Sequence, residues 1–115
     1  MKTLWNDPDG GFHPASAPDY LPRRGLEQLQ LGRLRSVVAL AYERVPLFRQ
    51  RMEERRLTPG SLRGLPDLGQ LPFTVKTDLR DTYPFGLFAK PMGEVVRLHA
   101  SSGTTGKPIV VAYTE

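Results

Sequence analysis

Groups able to handle an anion concentrate at Ser101-Ser102-Gly103-Thr104-Thr105-Gly106-Lys107-Pro108, where eight residues hold four hydroxyls, two glycines and one ammonium. Glycine lets the backbone take φ > 0 and approach a ligand closely, so successive N–H groups can turn towards one anion. Hydroxyls donate to phosphate oxygens, and a lysine adds a mobile positive charge. The octet therefore reads as a phosphate-binding loop, with Ser101, Ser102, Gly103, Thr104, Thr105, Gly106 and Lys107 as the binding residues. None of them is read as catalytic or as a metal ligand.

A Walker A loop needs Gly-x4-Gly-Lys-Ser/Thr opening a helix. Here the glycines are three apart, Pro108 stands where the Ser or Thr belongs, and the β-branched run Ile109-Val110-Val111-Ala112-Tyr113 follows. With Val95 to Ala100 before the loop, the pattern predicts strand, glycine-rich loop, strand. An ordinary Ser/Gly turn has a similar composition, but the full octet is more specific than that.

Ser101 to Pro108 resembles the phosphate-binding signature of the adenylate-forming enzymes. The stretch Leu71-Pro72-Phe73-Thr74-x-Lys76-x-Asp78-Leu79-Arg80-Asp81-x-Tyr83-Pro84-Phe85-Gly86-Leu87-Phe88 resembles their phenylacetate-coenzyme A ligase branch, as does Ala41-Tyr42-Glu43-Arg44-Val45-Pro46-Leu47-Phe48-Arg49. The resemblance runs from about Leu26 to Thr114. Lys107 precedes the proline, whereas many members of the wider superfamily place it after; the phenylacetate branch usually reads as here. The resemblance implies an AMP-forming acid–thiol ligase that takes ATP with magnesium, an aryl-acetic acid such as phenylacetate, and coenzyme A. It also implies that most adenine, acyl and coenzyme A contacts lie beyond Glu115, so the chain alone is expected to be an inactive fragment or truncated product.

The elements that must hold this loop follow from patterning. Residues 1–24, with Pro8, Pro14, Pro18, Pro22 and Gly10-Gly11, read as an irregular arm that Trp5, Phe12 and Tyr20 pin to the body. Residues 25–57 read as a helical pair. In the first helix Leu31, Leu34, Val38, Ala41 and Val45 form a stripe that Leu26, Leu29, Val37 and Leu40 widen; Pro46 then opens a second helix, Leu47 to about Arg56, with Phe48 and Met52 on one face. That amphipathicity suits either a homodimer or partner surface or packing on a larger body. Residues 58–94 read as loop-rich, with short helices. Thr74 or Thr77 is expected to cap one of them, and Gly86 to supply an unusual φ in the aromatic turn Tyr83 to Phe88. That turn is expected to pack the short helix against the strand, in preference to the alternative that its rings border an aromatic substrate. Residues 95–115 complete the strand, loop and strand. The fold class is α+β: a helical segment, then a short β-hairpin, as an incomplete part of the large N-terminal domain of an adenylate-forming enzyme.

With 115 residues, 39% of them hydrophobic, 11 Gly and 11 Pro, the chain is one domain at most. Sixteen Lys+Arg against twelve Asp+Glu give a net charge of +4, which raises nucleic acid as a partner. The arginines are mixed with Glu43, Glu53 and Glu54 and no aromatic residues interleave with them, so a solvated helix face fits better. There are no cysteines, hence neither disulfides nor thiolate chemistry. No run approaches a membrane span and the start lacks an apolar leader core, so a cytoplasmic location is expected. His13 has no second ligand nearby. Lys76 reads as solvated or paired with an aspartate, and His99, without a local acidic partner, as structural. The competing functions are a non-catalytic helical assembly module and a basic nucleic-acid binder.

Overall fold

The computed structural model describes residues 16–102 and 106–115. A 3-10 turn at Ala17–Tyr20 leads into helices α1 (Arg23–Arg44) and α2 (Pro46–Glu54), and 3-10 turns at Pro59–Ser61 and Leu65–Gln70 connect these to α3 (Lys76–Asp81). One more such turn, Met92–Glu94, precedes strands β1 (Val95–Ala100) and β2 (Val110–Thr114). The radius of gyration is 18.1 Å, larger than the ~13 Å of a close-packed domain of this length.

Proline sets both ends of α1. Pro22 takes an extended backbone (φ −53°, ψ 145°), and the helix starts directly after it, inside the stretch expected to be irregular. The rest of that arm, with Trp5, Phe12 and His13, lies outside the described residues. Pro46 forces Val45 out of the helical region (φ −111°, ψ 103°) and itself occupies the first turn of α2. The second helix ends earlier than its pattern suggests. Arg56 turns left-handed at φ 57°, the Leu57 amide donates to the Met52 carbonyl at 2.8 Å, and the Arg56 amide donates to the Glu53 carbonyl at 2.8 Å. These bonds form a Schellman motif in which arginine takes the position glycine usually holds. The motif brings Leu57 back onto Met52.

The core is small. Met52 is fully buried, Val38 and Leu62 are nearly so, and Leu34, Tyr42, Phe48, Leu57 and Leu71 pack around them. Leu34, Val38 and Tyr42 are four apart on α1 and share the face that meets α2. Val37, expected to widen the buried stripe, points out and is 61% exposed.

The arginines do more than solvate a helix face. Arg35 donates from Nε to the Leu62 carbonyl (2.9 Å) and from Nη2 to that of Arg63 (2.8 Å). Arg49 reaches the carbonyls of Tyr42 (2.8 Å) and Glu43 (3.0 Å), and Arg55 that of Gln70 (3.1 Å). The C-terminal turn of α1 and the irregular segment after α2 expose carbonyls that no ladder satisfies, and long guanidinium arms supply the donors. Much of the basic charge is thus committed within the fold.

Candidate functional site

The loop-bearing hairpin is antiparallel, pairing Ala100 with Val110, His99 with Val111, Leu98 with Ala112 and Arg97 with Tyr113. A bulge between Val95 and Arg97 then pairs Val95 with Thr114. Neither strand buries a residue. His99 meets the Tyr113 ring edge-on, with centroids 5.1 Å apart, as a cross-strand aromatic contact.

Ser101 closes the neck of the loop twice. Its amide donates to the Ile109 carbonyl at 2.9 Å, and its hydroxyl oxygen accepts the Ile109 N–H at 3.0 Å. Ile109, expected to begin the second strand, belongs to this neck, and the strand starts one residue later. Accepting that bond leaves the Ser101 O–H proton free to donate to a ligand. Ser102 follows, exposed. Gly103, Thr104 and Thr105 lie outside the described residues. Gly106 takes φ 121°, a region that side-chain-bearing residues rarely occupy, and among the described residues beyond its chain neighbours no atom lies within 4 Å of where its Cβ would sit. The conformation alone calls for glycine here.

Lys107 is exposed, and its Nζ stands 5.9 Å from the centre of the Tyr83 ring, within the range of a cation–π contact. Tyr83 comes from the turn after α3, where its amide donates to the Arg80 carbonyl at 3.2 Å. Gly86 does not supply the unusual φ expected of it: among the described glycines only Gly106 is left-handed. It is required for space, because a Cβ would come within 2.7 Å of the Thr82 carbonyl oxygen, to which the Gly86 amide donates at 2.8 Å. Phe85 and Phe88 stack obliquely at 5.2 Å. Leu87, Phe88 and Leu79 line an apolar groove of about 340 Å³ with Val95, Val110 and Ala112, so this turn does meet the hairpin.

The anchor of α3 is Asp78. No threonine caps this helix; Val75 stands at the N-cap and its amide donates to Asp78 Oδ2 at 2.8 Å. A carboxylate in the first turn answers unpaired amides better than a hydroxyl because it carries full charge. The same carboxylate accepts two bonds from Arg51 of α2, Nη1 to Oδ2 at 2.6 Å and Nη2 to Oδ1 at 2.7 Å, while Nη1 also donates to the Phe73 carbonyl at 2.8 Å. The Arg51 guanidinium and the Val75 amide hold the Asp78 carboxyl below the usual carboxylate range. Lys76, two residues before Asp78, is exposed.

The structure brings Ser101, Ser102, Gly106 and Lys107 to one end of the hairpin and adds Tyr83, which the sequence suggested as a packing residue or a border to an aromatic substrate and not as a partner of the loop. No local pattern announces the Tyr83–Lys107 contact, since the pair is separated in sequence by the whole of β1. Among the described residues, no three His, Cys, Asp or Glu side chains converge as a metal site would need. No helix among them is long and apolar enough to cross a membrane.

No family model matches the chain. It is 60% identical over 95 residues to a phenylacetate-coenzyme A ligase of Thermus thermophilus, covering 83% of this chain and 21% of that enzyme. It is 52% identical over 90 residues to the phenylacetate-coenzyme A ligase of Escherichia coli, covering 78% and 21%. Among solved structures, 2-hydroxyisobutyryl-CoA ligase in complex with 2-HIB-AMP and CoA, in the thioesterification state, matches with a TM-score of 0.76 at 30% identity over 96% of this chain and 26% of that one. An open conformation of the same ligase matches at 0.71 and 28%, over 92% and 27%. The chain thus spans about a fifth of the length of the curated relatives it matches.

Proposed function

The chain is homologous to phenylacetate-coenzyme A ligases over about four fifths of its residues, and from that premise we propose that it supplies the phosphate-binding loop of an AMP-forming acyl-CoA ligase. In that reaction a carboxylate attacks the α-phosphate of ATP, giving an acyl-adenylate and pyrophosphate; the coenzyme A thiolate then displaces AMP. An aryl-acetic acid, phenylacetate first among them, is the proposed substrate, and the cytoplasm the proposed location. Ser101, Ser102, Thr104, Thr105 and Lys107, with the amides around Gly103 and Gly106, would hold the β- and γ-phosphates as they become the leaving pyrophosphate. Magnesium fits this donor set only alongside the triphosphate, because the octet has hydroxyls but no carboxylate. Coenzyme A and the acyl group would bind mainly to other parts of an enzyme of the relatives' length.

The observation that carries this reading is the closed neck. Ser101 and Ile109 are locked together on one side, Gly106 is left-handed on the other, and Lys107 follows directly. Donors placed in advance where charge develops are the main means by which such a site favours its transition state.

The test is Lys107→Ala in an enzyme of the relatives' full length carrying these residues. Loss of one charge-assisted hydrogen bond of about 1.5–3 kcal/mol should slow adenylation roughly tenfold to a hundredfold. Thioester formation from a pre-made acyl-adenylate should change little, since pyrophosphate has already left. Equal loss in both half-reactions, with the melting temperature unchanged, would refute the loop's assignment. The 115-residue chain alone is expected to release no pyrophosphate from ATP and phenylacetate.

Val37, Leu68 and Phe73, respectively 61%, 53% and 83% exposed, share an apolar groove beside α1, which favours a docking role for the helical pair. A second copy of the chain is the proposed occupant, and sedimentation across concentrations checks it.

A further inference from the structure

The geometry points to Tyr83 as the positioning residue for Lys107: its ring holds the ammonium at the mouth of the loop both before and while a polyphosphate is bound. This rests on the reading of residues 101–107 as a phosphate-binding loop and adds a residue from outside it. Lys107 takes part in no ion pair among the described residues, and the Tyr83 ring lies 5.9 Å beneath its Nζ. A lysine side chain has four rotatable bonds, so an exposed one samples many positions. A ring face narrows that set without neutralising the charge or filling the donor sites. A carboxylate partner would do both, and an incoming phosphate would have to displace it.

The ring is itself well placed to do this. The Tyr83 amide is bonded to the Arg80 carbonyl, and the next turn is fixed by Gly86 on the Thr82 carbonyl at 2.8 Å. Helix α3 behind it is tied to α2 by the paired bonds of Arg51 to Asp78 at 2.6 and 2.7 Å. The two strands of the hairpin contribute no buried residue of their own. The position of the Lys107 ammonium is therefore set from the helical side of the fold. An exposed cation–π contact shifts such an equilibrium by about two- to fivefold, and because the ring leaves the N–H donors free the contact persists when a multiply charged anion binds.

The experiment is NMR on the 115-residue chain labelled at lysine, with inorganic pyrophosphate as the probe. The Lys107 ε-methylene should be shifted upfield by the ring current in the parent protein and in Tyr83→Phe. It should move to its ordinary position in Tyr83→Leu, and should stay upfield as pyrophosphate is added to the parent. Tyr83→Leu should weaken pyrophosphate binding about two- to fivefold, while Tyr83→Phe leaves it unchanged, because the ring and not the hydroxyl makes the contact. An unshifted Lys107 in the parent, or Tyr83→Phe behaving like Tyr83→Leu, overturns the inference. If Lys107→Ala weakens binding and Tyr83→Leu does not, the inference fails while the phosphate-loop reading stands. If Lys107→Ala leaves binding unchanged as well, the reading beneath it has failed. Unchanged Met52 and Val38 methyl signals confirm that each variant is folded, and should Tyr83→Leu not fold, the parent shift and Tyr83→Phe still decide the matter.

Discussion

Replacing Gly106 by alanine isolates the conformational requirement of the loop from its packing. The backbone there sits at φ 121°, and among the described residues an added Cβ would meet nothing within 4 Å beyond its own chain neighbours. What the substitution adds is therefore the strain of an L-residue in a sparsely allowed region, about 1–3 kcal/mol. That strain is relieved by opening the neck, where the Ser101 amide is bonded to Ile109. Since each 1.36 kcal/mol is a tenfold change, the Ser101 amide should exchange its proton roughly five- to 150-fold faster in Gly106→Ala. Amides of α1 and α2 should exchange at their parent rates, because the core of Val38, Met52 and Leu62 is built with residues between Leu34 and Leu71. A chain carrying D-alanine at this position provides the control, since the mirror-image residue accepts positive φ and should protect Ser101 as glycine does. The assay is hydrogen exchange read by NMR on the three proteins. Equal protection of Ser101 in the L-alanine and glycine forms would show that the neck does not depend on a left-handed residue at 106.

Met52→Ala should lower stability by about 2–5 kcal/mol, measured by urea unfolding, because the fully buried thioether joins α1, α2 and the Leu62 turn; a smaller change would mean that the site collapses around the cavity. The carboxyls of Asp78, held down by Arg51 and the Val75 amide, and of Asp67, held down by the Gly64 and Arg63 amides, bind fewer protons when folded than when unfolded. Stability from both is therefore fully present above the ordinary carboxylate range, about pH 4, and is lost as pH falls through their depressed values; Asp78→Asn should flatten the melting temperature in that window, and an unchanged profile would count against the linkage.

Local and periodic signals carried much of this fold into the sequence. The stripe Leu34, Val38 and Tyr42, the break at Pro46, and the two β-branched runs about a glycine-rich loop each act over a few residues, so propensity and pattern reveal them. Asp78 shows the limit. Its place in the first turn of a short helix is legible, but its partner Arg51 is 27 residues away, and nothing in either local stretch selects one arginine among many. The end of α2 was misread for a related reason: a Schellman turn with arginine in the left-handed position lacks the glycine that would announce it. Gly86 looked like a conformational glycine and proved a spatial one, because what excludes a side chain is the Thr82 carbonyl of the preceding turn.

The same distance in sequence explains why the octet alone did not reveal how its lysine is held. A hairpin with no buried residue cannot fix the direction of an exposed side chain at its tip, whatever the loop's composition. Fixing it requires contact with something rigid, and in this chain rigidity lies where burial does, around Met52. Arg51, the residue before Met52, passes that rigidity to α3 through Asp78, and the turn after α3 brings Tyr83 beneath Lys107. The helical pair thus contributes to the proposed phosphate site through α3 and Tyr83. A substitution at Arg51 should accordingly disturb Lys107 through the placement of Tyr83, even though every residue of the octet remains in place.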